Sequence, residues 1–508
     1  MTRLAVYRPP LWIAAGIVAG VSAAFFMSVY ITAALSILLC FAAMVTAVMG
    51  KAKKELILVA AGMLLGVTAA TLYSAFFPSG SYEGVITGRI TDSSYCNSYG
   101  LCVLTENGYS LELDHITVNG EAVRGKASLL LPFYVRGDMN VGEYITFGGS
   151  LTGAEFNAGE YDSLMSAKYG VYYTAAATDY AISLTPGKLG AAESVRFAVR
   201  NALLDNCNGV TADFLFAMIF GDTSYLEYSV AESFRDTGTA HLFAVSGLHV
   251  ALLFYACSAV LNKIPHMPKS ISFGIDCFIL IGYSALCSFS PSVVRSAVMI
   301  LIGVLCKLGY EQYDALTACG ISAGLILLFA PYFLFDAGFL MSYGSVFGII
   351  GTMKPVARLL RKVLWRPIAD AISITICANI GLLPFMFLYF ETVPLSTIPV
   401  NLVVCPLTSL FYPFLLAAVV ITTIFPQAGT LLTITAVPTY YAIRFVQASA
   451  QVSSAAINAT FSPLLCVFYY PLLACASVFS LAPARIKKAC GLLCLGIVVT
   501  ACFVALPV

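Results

Sequence analysis

Apolar runs about as long as the 20 residues a bilayer-spanning helix needs recur along almost the whole chain, and nothing else in the sequence constrains the fold as tightly. Inside hydrocarbon every backbone polar group must be satisfied within the protein, so such runs must become helices. The first block, Leu11 to Gly50, is long enough for two, and Leu56 to Phe77 makes a third. Spans resume at His241 to Leu261, Ser270 to Phe289, Pro291 to Leu308, Ala315 to Ala330 and Phe333 to Met353. They continue at Ile368 to Phe390, Ile398 to Ile424, Leu431 to Ala450, Phe461 to Leu481 and Ala489 to Leu506. The expectation is a polytopic α-helical membrane protein of about 13 spans. With 59% hydrophobic and 10% charged residues, the chain lies far from a soluble globule, whose charged share is about 25%.

Basic residues orient the spans. Arg3, Arg8, Lys51, Lys53, Lys54, Lys263, Lys269, Lys307, the group Lys354 to Arg366, and Arg485 to Lys488 all fall on one side if the N-terminus is cytoplasmic. That parity puts the C-terminus outside. Residues 1–78 form N-terminal membrane helices, 79–189 an exported domain, 190–240 amphipathic interfacial helices, and 241–508 the main membrane domain. In the interfacial segment Arg196 and Arg200 share Ala191 to Asn206 with apolar residues at helical spacing.

The exported interval is polar and rich in tyrosine. Gly84 to Ile90, Ser110 to Asp114, Ala127 to Leu131 and Glu143 to Phe147 alternate with the period of strands. Asn-Gly steps at 107–108 and 119–120 mark hairpin turns. A small closed barrel of about five strands is expected, OB-like in size. Such barrels bind single strands through aromatic platforms and positive charge. Between Gly80 and Gly190, however, twelve acidic residues face six basic ones, which leaves Arg89, Arg124, Lys126, Arg136 and Tyr134 as the candidate contacts. Cys96 and Cys102 flank a Gly-containing loop, where a disulfide and two free thiols are both open.

No Gly-x-x-x-x-Gly-Lys-[Ser/Thr] loop or His-Glu-x-x-His occurs, and the four histidines are dispersed, so neither a nucleotide motor nor a metal or cofactor site is expected. Asp222, His241, Ser246 and His249 are the one set that resembles a catalytic constellation, but the order Ser-Gly-Leu-His lacks a nucleophile elbow. Packing hydrogen bonds and the lining of a wet path remain open for it. Arg295 and Asp336 sit at the ends of neighbouring spans, where an ion pair between them is one outcome. Gly16 to Gly20 and Gly344 to Gly348 have the spacing of close helix contacts.

Gly221-Asp222 with Phe234-Arg-Asp-Thr-Gly-Thr-Ala-His-Leu-Phe-Ala-Val-Ser-Gly-Leu-His249 closely resembles the hallmark of the ComEC-type competence proteins, inner-membrane DNA uptake channels. Ser290-Pro-Ser-Val-Val-Arg295, Asp336-Ala-Gly-Phe-Leu-Met-Ser342, Pro399-Val-Asn-Leu-Val-Val-Cys-Pro406, and Asn157 to Asp162 with Tyr169 to Val171 are similar to further segments of that family, in the same order. The chain departs from the pattern at Tyr310-Glu-Gln, at Leu340-Met-Ser and at Ser296. The resemblance implies import of single-stranded DNA through the cytoplasmic membrane. It makes Asp222, His241, Ser246, Gly247, His249, Ser292, Arg295, Asp336, Ser342 and Asn401 the candidates for the channel's polar centre. The metallo-β-lactamase-like domain of longer relatives is not in this sequence, so the expectation is transport without hydrolysis. A DNA receptor, a nuclease and a cytoplasmic ATPase or helicase would then be separate proteins. A transporter or enzyme for a small or lipidic substrate, or a scaffold for the exported domain, is the alternative.

Overall fold

The computed structural model describes residues 9–26, 54–75, 80–94, 108–132, 142–153, 171–187, 190–243, 245–261, 268–390, 392–394, 396–452, 456–458, 463–477 and 483–504. Two helices come first, α1 (Pro9–Phe26) and α2 (Lys54–Ala75). They pack backbone to backbone: a Cβ on Gly16 or Gly20 would run into the carbonyl oxygens of Val59 and Met63. In lipid such small-residue seams replace the hydrophobic drive that water supplies elsewhere.

Six strands follow: β1 (Ser81–Ser94), β2 (Gly108–Val118), β3 (Glu121–Ala122), β4 (Lys126–Pro132), β5 (Tyr144–Gly153) and β6 (Val171–Thr185). Apart from the short β3 they close on themselves in the order β1-β5-β6-β4-β2 and back to β1, with β4 and β6 parallel and the other pairs antiparallel. The expected five-stranded barrel is therefore present. Alternation puts Ile86, Ile90, Leu111, Leu113, Leu129, Ile145, Phe147 and Tyr173 inside. Asn119 and Gly120 take positive φ, as the Asn-Gly step requires, and Asn119 Oδ1 accepts the Val85 N–H at 2.9 Å. The step at 107–108, the pair Cys96 and Cys102, and Tyr134 and Arg136 lie wholly or partly outside the described residues.

The remaining helices are α3 (Ala191–Asn206), α4 (Gly209–Phe220), α5 (Tyr228–Asp236), α6 (Gly247–Leu261), α7 (Lys269–Leu286), α8 (Pro291–Leu308), α9 (Ala315–Phe329), α10 (Ala337–Leu360), α11 (Arg366–Tyr389), α12 (Thr397–Ile424), α13 (Gly429–Val452), α14 (Pro463–Ala476) and α15 (Ala484–Val504). Among the described residues, Ala240–Leu261, Pro291–Leu308, Arg366–Tyr389 and Thr397–Ile424 are long and apolar enough to cross a membrane. Five shorter apolar helices accompany them. The protein is thus a mostly helical membrane protein, and the figure of 13 spans stays an expectation.

Two features fix the bundle. A two-stranded ribbon joins β7 (Thr392–Pro394), just after α11, to β8 (Ala456–Asn458), just after α13, so those helices end at the same end of the bundle. The second is the segment before α5, in which α3 is half exposed and α4 is buried. Arg196 of α3 reaches Ser288 at the end of α7, while Thr433 of α13 hydrogen-bonds the carbonyl of Asn206 and Asn206 abuts Gly429 at the start of α13. Helix α4 then returns with every residue from Phe214 to Phe220 buried against Tyr412, Leu415, Val419 and Leu432. The α3–α4 hairpin packs against α7, α12 and α13: α4 is buried there, whereas α3 buries Val199 and Leu203 and keeps Val195, Phe197 and Leu204 exposed. An amphipathic α3 suits both places: its polar stripe here meets protein carboxylates instead of headgroups.

Candidate functional site: a polar centre at the start of α6

The motif loop between α5 and α6 is built by local hydrogen bonds. Thr237 and Thr239 are fully buried; their hydroxyls bond each other at 2.8 Å and return to the carbonyls of Ser233 and Phe234. Gly238 between them has φ 67 and lies against the Thr397 hydroxyl, so both its conformation and its lack of a Cβ are required. This turn presents His241 on a short 3-10 segment and brings the chain to Ser246.

Ser246 then caps α6. Its Oγ accepts the His249 N–H at 3.3 Å, and its own N–H points to His249 Nδ1 at 3.5 Å. A serine nucleophile needs a base that accepts its hydroxyl proton; here the ring nitrogen meets a backbone donor. The pair is a helix start. His249 is 2% exposed and stacks on Tyr412 at 4.2 Å between ring centroids. The Tyr412 hydroxyl lies 3.2 Å from that of Tyr283, which donates to the carbonyl of Ile219 at 2.7 Å.

One face of α12 supplies the other side. Asn401, Cys405, Thr408 and Tyr412 recur at intervals of four, three and four, hence on one helical stripe. Cys405 Sγ is 3.7 Å from His241 Nε2 and 3.6 Å from Asn401 Oδ1. His241 is accessible as a residue, whereas Leu242, Phe243 and His249 are buried. Helix α12 continues through Pro406 and Pro413.

Next to this lies a second cluster. Gly247 faces Ser296 and Arg295: a Cβ there would sit 2.7 Å from Ser296 Oγ and 3.0 Å from Arg295 Nη2. Arg295 is 6% exposed and donates to the Ser342 carbonyl, with Ser296 Oγ at 3.4 Å and the Tyr343 ring 5.7 Å away. Ser342 and Ser292 join through their hydroxyls at 3.1 Å. Asp336, 1% exposed, does not form the ion pair with Arg295 that was one expectation; it caps α10 by accepting the Phe339 N–H at 2.7 Å. A buried guanidinium held by a carbonyl and hydroxyls is costly, and its Nε has no hydrogen-bond partner.

Asp222 lies at the rim. It pairs with Arg196 and accepts the Ser224 N–H at 3.0 Å, and one turn on Arg200 pairs with Asp213 at 3.3 Å. The same stripe of α3 begins with Glu193, which meets Arg89 of the barrel at 3.1 Å. Arg89 also forms a bidentate pair with Asp114, at 2.9 and 2.7 Å, and the hydrogen bonds it donates to Asp114 hold it charged well above its ordinary range. Arg89 thus links the barrel to α3 through two carboxylates. Lys126 lies 3.5 Å from Glu112, and Arg124 is exposed. Tyr283, Tyr412 and Arg196 complete the centre although they stand in no motif, together with Cys405, which lies in the Pro399–Pro406 segment but is not singled out by it. Only the four-three-four spacing on α12 signalled two of them. A separate cavity of about 600 Å³ opens between α5 and the end of α13, lined by Glu232, Asp236, Arg444 and Gln447, and holds no residue of the polar centre.

The family model for Competence protein matches residues 218–484, more than half of the sequence and, Arg196 apart, the whole of this polar centre. The chain belongs to that family. It is 27% identical over 198 residues to ComE operon protein 3 of Bacillus subtilis, a match covering 39% of this chain and 24% of the relative. It is 28% identical over 144 residues to Competence protein ComA of Neisseria gonorrhoeae, covering 26% and 20%. Recombination protein 2 of Haemophilus influenzae is 27% identical over 142 residues, covering 26% and 18%. The chain thus spans about a quarter or less of the length of these relatives. No solved structure matches it.

Proposed function

We propose that this protein is a cytoplasmic-membrane conduit that imports DNA as a single strand, with the barrel outside as the receiving module. The barrel's strand order, with β4 parallel to β6 and β5 closing on β1, supports an OB-like module. The N-terminus is cytoplasmic in this reading, and a separate receptor, nuclease and ATPase or helicase act with it. The conduit itself carries out no bond-breaking step.

The observation that carries this reading is the accessibility of His241, which stands beside a stripe of polar side chains on α12 inside a mostly apolar bundle. A polyanion crosses a bilayer only along a wet path. The centre divides accordingly. His241, with half-buried Ser246 and Cys405, forms the lining; His249, Arg295, Asp336 and Asn401, all buried, hold the helices that shape it. Uptake of labelled DNA in a competent strain, paired with the yield of folded protein by size exclusion, tests the division. His241→Ala should reduce uptake at least tenfold at unchanged folded yield, whereas His249→Ala should reduce the yield itself. Normal uptake by His241→Ala refutes the reading.

A further inference from the structure

Asp276 is the one acid in the interior stripe of α7, followed at helical intervals by Leu280, Tyr283 and Cys287, all buried. It lies seven residues from Lys269, the start of the helix, hence about 10 Å along the axis at 1.5 Å per residue. The residue is 4% exposed, and its Oδ1 has no hydrogen-bond partner. The titratable group facing it from α6 is the thiol of Cys257, and its own helix contributes Cys277. Two other helices pack on α7. Arg196 of α3 is engaged with Asp222 and with Ser288 beyond the far end of α7, Arg200 of α3 with Asp213, and on α8 Arg295 is held at Ser342 while Lys307 is exposed in the last turn. No ion pair to Asp276 exists among the described residues.

An ionised carboxylate in that position would be a buried charge without a counterion, the most expensive state a side chain can occupy. A leucine of similar size would serve packing better. We propose that Asp276 is a proton-binding site in the α6–α7 seam, a neutral carboxylic acid while the seam is closed and an exchangeable one when water enters the seam. Binding a proton joins H⁺ to one carboxylate oxygen; release returns it to water and leaves a charge that the closed seam does not tolerate. Proton occupancy and seam closure are therefore linked. The seam matters because α6 is the helix that Ser246 and His249 begin, and because Tyr283 on the same stripe of α7 reaches Tyr412. The proposal stands independently of the DNA reading.

Purified full-length protein in lipid nanodiscs provides the test. Dicyclohexylcarbodiimide, an apolar reagent that captures protonated carboxyls, should give its dominant adduct on the Asp276 peptide at pH 6, at least tenfold over exposed Glu121 and Glu232. Infrared spectra should contain a protonated-carboxyl carbonyl band that shifts in D2O and is missing from Asp276→Asn. An adduct without the band, meaning an ionised group, overturns the proposal. So does the band without an adduct, meaning a sealed proton that does not exchange, and so does the absence of both. Should Asp276→Asn fail to fold, labelling and the D2O shift in the unaltered chain still decide.

Discussion

Gly247 is where the histidine-bearing helix is seated against the arginine cluster, and replacing it with alanine measures that seating. The added methyl would lie 2.7 Å from Ser296 Oγ, 3.0 Å from Arg295 Nη2 and 3.6 Å from Ser296 Cβ. Comfortable contacts between heavy atoms begin near ~3.5 Å, so the first two must yield. Ser296 Oγ can turn away only by giving up its 2.8 Å bond to the Ser292 carbonyl, at a cost of about 1 kcal/mol. Arg295 can yield only by disturbing its hydrogen bond to the Ser342 carbonyl. With overpacking of about 1–3 kcal/mol, Gly247→Ala should destabilise the bundle by roughly 2–3 kcal/mol. The assay is the apparent melting temperature in detergent, read as the loss of the monodisperse size-exclusion peak. Ser296→Ala removes the nearer obstacle, so it should recover at least half of the loss when combined with Gly247→Ala while costing about 1 kcal/mol or less alone. If Gly247→Ala melts with the unaltered chain, or if Ser296→Ala recovers nothing, α6 does not start against Ser296 and the geometry of the second cluster is wrong.

Gly348→Ala should be worse than Gly247→Ala, because its methyl would meet the carbonyl of Cys377 and, at 2.8 and 2.9 Å, the backbone of Gly381, none of which can rotate away; the expected result is little folded protein by size exclusion. Arg89→Ala leaves Asp114 and Glu193 without their shared cation and should cost about 2 kcal/mol at the barrel–α3 junction, seen as faster proteolysis near residues 186–190. Binding of single-stranded DNA to the same variant should stay within twofold of the parent. Tyr412→Phe keeps the stack on His249 and the bond from Tyr283 to Ile219, so it should cost about 1 kcal/mol or less, whereas Tyr412→Ala should cost about 3–5 kcal/mol in the same thermal assay.

Periodicity made the barrel legible in the sequence, since four alternating runs fall inside β1, β2, β4 and β5 and the Asn119-Gly120 turn is where its φ angles require it. The helix seams were legible for the same reason: Gly16, Gly20, Gly344 and Gly348 announce contact by having no side chain. Less accessible was the destination of 190–240. An amphipathic stripe reports that Arg196 and Arg200 need polar company, but it is silent on whether headgroups or the carboxylates of Asp222 and Asp213 provide it. The polar centre was half legible. Motif residues marked the loop and Arg295, while their division into exposed and buried depends on which neighbour each meets. Tyr412, which stacks on His249, lies 163 positions away in the sequence.

The ribbon of β7 and β8 has a mechanical consequence. By clamping the end of α11 to the end of α13, it closes a hoop around α12, the helix bearing Asn401, Cys405 and Tyr412. Such a tie resists sliding of α11 along α13, because sliding would break the ribbon's hydrogen bonds. The ends of α11 and α13 are thereby held at a fixed separation, and α12, which runs between them in the chain, starts from that tie.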